Sequence, residues 1–74
     1  MTKSRENFVR LAESRTNKIL KDLDLLSNLS NKTNYTYTEN DVRKIFDALL
    51  KKLKDTENRF DVAIKKNNIE QFKL

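Results

Sequence analysis

Apolar positions recur along this chain in two runs, both at helical spacing. In the first half, Val9, Ala12, Thr16, Ile19, Leu23, Leu26 and Ser30 step by 3 and 4 in strict alternation. In the second half, Val42, Phe46, Leu49, Leu53, Thr56, Phe60 and Ala63 step by 4 and 3. This alternation marks one face of an α-helix and argues against the period of two that a strand requires. Six cross-pairs, from Val9 with Ala63 to Leu26 with Phe46, share the residue-number sum 72. Opposed heptads always share some sum. This one sets the turn near residue 36, where the turn-like residues lie. The pattern predicts an all-α fold in a single domain, residues 1–74, built as an antiparallel two-helix hairpin. Helix 1 is expected over about 3–29, a turn over 30–38, helix 2 over about 39–66, and a tail over 67–74.

Local signals agree with those boundaries. Thr2 or Ser4 suits the N-cap of helix 1, with Glu6 in its first turn. Ser30, Asn31, Thr33 and Asn34 compete for backbone hydrogen bonds and favour a turn. Thr38 and Asp41 form a capping-box-like pattern at the start of helix 2, although Asp is shorter than the usual Glu or Gln. Lys65 and Lys66 suit a helix C-terminus, and Asn67-Asn68 suits its end. Tyr35 and Tyr37 are the only tyrosines. At least one ring is expected to pack over the end of the helix pair, with its hydroxyl near water.

The apolar face of helix 1 is wider than one partner helix covers. Leu11, Leu25 and Leu29 form a second line beside the main stripe, and Leu50 and Ile64 lie off-centre on helix 2. They widen an ordinary core, serve a self-association interface, or form a groove for a foreign helix. In the hairpin register Leu29 meets Ile45, Leu20 meets Leu50, and Asp22 lies near Lys52. Arg15 would flank Arg59 and Glu13 would flank Glu57, which are like-charge neighbours that a second protomer can interleave. Size points the same way. A chain of 74 residues buries only about 60% of its unfolded surface and is marginal alone. The expectation is a homodimer forming a four-helix bundle, with Leu11, Arg15, Leu25, Leu29, Leu50, Glu57 and Ile64 at the interface.

Composition removes many alternatives. The sequence has no Gly, Pro, Cys or His. That excludes Gly-rich phosphate loops, disulfides, thiolate or imidazole zinc sites, and Cys or His catalysis. Carboxylates are plentiful, but Asp22 and Asp24 face different sides of a helix, and Asp41 and Asp47 are not neighbours on the helical wheel. Paired acid–base carboxylates need a shared desolvated cleft. The expectations are no enzyme activity, no catalytic residues, no metal, no cofactor and no small-molecule substrate. No apolar run approaches the roughly 18 residues of a membrane span, and the start lacks a signal-peptide core. A cytoplasmic protein without a membrane partner is expected.

Charge leaves one surface to weigh. The net charge is +5, spread along both halves with no basic arm. Lys44, Lys51, Lys54, Lys65 and Lys66 fall on the face of helix 2 opposite its apolar stripe, together with Asp47, Asp55 and Asn58. They form either a solvated face laced with i,i+4 pairs such as Asp47–Lys51 and Asp61–Lys65, or a stripe that tracks DNA or RNA phosphates. No helix-turn-helix arrangement is apparent.

The stretch NLSNKTNYTYTENDVRKIF, residues 28–46, resembles small uncharacterised proteins of Gram-positive plasmids, prophages (phage genomes resident in a host) and other mobile elements. Their pattern has a Phe and LAE-x-R near the start, an NLSN-x-x-NY-x-YT turn, then DV-x-x-IF. Phe8, Leu11 to Glu13, Arg15, Asn28 to Asn31, Asn34, Tyr35, Tyr37, Thr38, Asp41, Val42, Ile45 and Phe46 match it. A later Phe and a terminal Phe-x-Leu match Phe60 and Phe72 to Leu74. Asp24-Leu25-Leu26 departs from the pattern, which has a basic residue and a Gly before the turn. The resemblance implies a mobile-element setting and no transferable activity. Together these readings predict a non-enzymatic binding module, an accessory nucleic-acid-associated factor of a mobile element. The alternative is a protein-binding inhibitor or adaptor that offers its apolar flank or the Tyr35/Tyr37 turn to a host protein.

Overall fold

A computed structural model describes the backbone of residues 2–69 and the side chains of residues 2–66. Among the described residues there are two α-helices, one 3-10 turn and no strand. The chain divides into two units, Met1–Thr36 and Tyr37–Leu74.

In the first unit, α1 spans Lys3–Ser27. Thr2 is its N-cap, in extended backbone, and its Oγ1 accepts the Arg5 N–H at 3.1 Å. Thr2 rather than Ser4 therefore holds the first turn, where free N–H groups need an acceptor. Glu6 donates its N–H to the Thr2 carbonyl at 3.0 Å, and its carboxylate suits the positive helix end. The Arg5 guanidinium lies 5.8 Å from the centre of the Phe8 ring, within cation–π range. α1 tightens at its end into a 3-10 turn, Asn28–Ser30. Helical backbone thus extends to Ser30, one residue past the expected end. Ser27 Oγ donates to the Asp24 carbonyl at 2.6 Å and the Asn28 N–H donates to the Asp24 and Leu26 carbonyls, so final-turn acceptors are satisfied without a glycine.

Asn31 makes the turn that follows. Its Oδ1 accepts the Thr33 N–H at 2.9 Å, and its carbonyl accepts the N–H groups of Asn34 at 3.2 Å and Tyr35 at 3.0 Å. The short Asn side chain mimics a backbone turn. No described residue needs a positive φ, so the chain turns here without the left-handed conformation that glycine usually supplies.

In the second unit, α2 spans Glu39–Ile69. Its capping box is closed in both directions. Thr38 Oγ1 accepts the Asp41 N–H at 3.1 Å, and Asp41 Oδ2 accepts the Thr38 N–H at 2.9 Å. The shorter Asp therefore reaches. The helix also runs three residues beyond the expected end at Lys66, so residues 67–69 belong to α2 and not to a tail. Neither Asn67 nor Asn68 ends it, because Asn stops a helix only where the backbone turns left-handed. The remainder of the expected tail, 70–74, lies outside the described residues.

No described residue is buried. Val9, Leu11, Ala12, Leu26 and Tyr37 are half-buried, and the others are exposed. The stripe positions expected in a core, among them Ile19, Leu23, Phe46, Leu49, Leu53 and Phe60, are exposed, Phe46 by 48%. The reason is geometric. Within one helix a side chain meets only neighbours three or four residues away, so a helix taken by itself leaves its apolar stripe open.

Candidate interaction surfaces

α2 presents opposite surfaces. At about 100° per residue, Val42, Phe46, Leu49, Leu53, Thr56, Phe60 and Ala63 fall within one arc of about 100°. Lys44, Lys51, Lys54, Lys65 and Lys66 fall within an arc of about 120° on the other side. All five lysines are exposed. Lys44 and Lys66 stand about 33 Å apart along the axis, from the helical rise of about 1.5 Å per residue. Four of the five, Lys44, Lys51, Lys65 and Lys66, hold no ion pair among the described residues, whereas Lys54 Nζ lies 3.3 Å from Glu57 Oε1. The expected Asp47–Lys51 and Asp61–Lys65 pairs are not closed. Spacing of four permits such contacts but does not enforce them, since each is worth only a few tenths of a kcal/mol, about 0.2–0.5. The lysine face also holds an apolar residue outside the 3/4 spacing of the stripe, Val62, 65% exposed.

Thr56 shows how a polar side chain suits the apolar stripe. Its Oγ1 donates to the Lys52 carbonyl at 2.8 Å, so the hydroxyl is satisfied within its own helix and its methyl remains for packing.

On α1 the second apolar line is open. Leu25 is 56% exposed and Leu29 46%, while Leu11 is half-buried and Arg15 exposed. Lys18 Nζ meets Asp22 Oδ2 at 3.0 Å along the same line. Asp22 therefore finds its partner on its own helix, at the i,i+4 spacing that could have revealed the pair. The off-centre α2 residues Leu50 and Ile64 are exposed, and Glu57, expected at a self-association interface, is the partner of Lys54. At the turn, Tyr35 is exposed and Tyr37 half-buried.

A shallow, open depression on α1, lined by Glu6, Val9, Arg10, Glu13, Ser14 and Asn17, is a groove between side-chain ridges of one helix. Among the described residues, no group of three or more Asp or Glu side chains is gathered as a metal site, and no helix is long and apolar enough to cross a membrane.

Comparison of the chain with protein-family models, curated proteins and solved structures found no match.

Proposed function

We propose that this chain is a non-enzymatic binding module that contacts nucleic acid through the lysine face of α2. In this reading the two apolar stripes cover each other in an antiparallel hairpin, and two hairpins pair as a four-helix bundle. Support for the hairpin comes from two amphipathic helices with uncovered stripes and an Asn31 turn between them. Amphipathic helices draw most of their stability from packing of the apolar face, so each stripe needs a cover. The resemblance of residues 28–46 to mobile-element proteins supports an accessory role in such an element.

The observation that carries the nucleic-acid reading is the set Lys44, Lys51, Lys65 and Lys66, exposed along one side of α2 and held in no closed ion pair among the described residues. Cations spaced along a rod attract a polyanion by releasing its condensed counterions. Fluorescence anisotropy with labelled duplex DNA and hairpin RNA, titrated against salt, tests it. Four phosphate contacts per protomer predict a log–log salt slope of about −3 to −4 for each bound protomer. Replacing Lys44 and Lys51 by Glu should flatten that slope by about 2. No binding from low to moderate salt dismisses the reading.

A second reading, a protein-binding inhibitor or adaptor, is favoured by the open Leu25 and Leu29 and by exposed Tyr35. It predicts capture of a host protein that Leu25→Lys abolishes while the lysine-face variant does not.

A further inference from the structure

The second line on α1 is a heptad seam in its own right. Leu11, Arg15, Lys18, Asp22 and Leu25 step by 4, 3, 4 and 3 along α1 and occupy an arc of about 80°; Leu29 follows four residues on, in the 3-10 turn that closes the helix. The arc's centre lies about 110° around the helix from that of the main stripe. Leu11 is half-buried, and the rest of the line is exposed. Its ends are leucine and its middle is charged.

We infer that this face of α1 docks against the same face of a second copy of the chain, antiparallel, about a twofold axis level with residue 20. The inference rests on the homodimer of the preceding section and specifies its face and orientation. In an antiparallel pair of helices each a position meets a d position of the partner. Pairing positions whose numbers sum to 40 sets Leu11 against Leu29, Arg15 against Leu25, and Lys18 against Asp22, each twice by symmetry. The outer leucine layers and the central charged layers are complementary. The aliphatic stem of Arg15 lies along Leu25 while its guanidinium stays in water. At the centre, the Lys18–Asp22 pair of one copy, closed at 3.0 Å, meets the reversed pair of the other, and the four charges alternate in sign.

The competing arrangements fail on charge. Parallel pairing sets Arg15 on Arg15, Lys18 on Lys18 and Asp22 on Asp22. Sliding the antiparallel pair by one heptad sets Arg15 on Lys18 and Asp22 on Leu11, or else Lys18 on Leu29 and Asp22 on Leu25. Like charges in contact, or the short Asp22 carboxylate set against leucine without a counter-charge, cost free energy that the sum-40 register avoids; its one charge facing leucine is Arg15, whose long stem lets the guanidinium reach water. A charged centre also makes the association weak and salt-sensitive, since exposed pairs contribute little and are screened.

The test uses charge variants of the full chain, with helicity checked by circular dichroism. Lys18→Glu makes the centre of the seam all acidic, and Asp22→Lys makes it all basic. Each alone should weaken self-association by about tenfold in sedimentation. The two mixed should form a heterodimer in preference to either homodimer, and Lys18→Glu with Asp22→Lys in one chain should restore the homodimer. A wild-type chain that stays monomeric up to high micromolar concentration overturns the homodimer and this inference together. A stable wild-type dimer whose variants associate and mix without preference overturns this face alone.

Discussion

The capping box of α2 allows a prediction worked from two hydrogen bonds. Replacing Thr38 by Ala removes the acceptor of the Asp41 N–H, a 3.1 Å bond, and leaves an orphan donor in the first turn. Loss of such a cap costs about 1 kcal/mol, within a range of about 0.5–2. Replacing Asp41 by Ala removes the 2.9 Å bond to the Thr38 N–H and a carboxylate at the positive helix end, where charge contributes about 0.3–1 kcal/mol. Each change should lower the thermal midpoint by about 4–8 °C per kcal/mol in a domain of this size. Because the two bonds are reciprocal, the double replacement should cost less than the sum of the singles. Thr38→Ser keeps the acceptor and should stay close to wild type. Circular dichroism melts give the global change. Amide exchange at Asp41 and at Val42, whose N–H donates to the Thr38 carbonyl at 3.2 Å, gives the local one. Equal stability of Thr38→Ala and Thr38→Ser, with no faster exchange at these two amides, would refute the reasoning.

Two further outcomes bear on the proposed packing. If the stripes cover each other, Phe46→Ala should cost about 3–5 kcal/mol in urea unfolding; a change below about 0.5 kcal/mol, as at an open surface site, would show that nothing covers this face. Thr56→Val should be neutral or stabilising in the same assay, because among the described residues the hydroxyl bonds to the Lys52 carbonyl of its own helix alone, and a loss above about 1 kcal/mol would show a partner across the seam.

Much of the local structure was legible in the residues. The 3/4 spacing of Val9 through Leu26 and of Val42 through Ala63 specifies helix, because side-chain direction repeats every 3.6 residues. The Asn31 turn and the Thr38 cap were legible because Asn and Thr carry short side chains that bond to nearby backbone. Termini were less legible. α2 passes through Asn67 and Asn68 to Ile69, since a possible stop acts only if the backbone leaves the helical region.

The sequence by itself determined that this chain forms two amphipathic helices, where each begins, and that one side of α2 is basic, because all three depend on contacts within four residues. The three-dimensional structure decided which of the ion pairs that helical spacing permits are closed. Lys18 closes on Asp22 and Lys54 on Glu57, while Lys51 and Lys65 stay clear of their acidic neighbours. Those choices depend on rotamers and competing contacts around each side chain, which spacing alone does not encode.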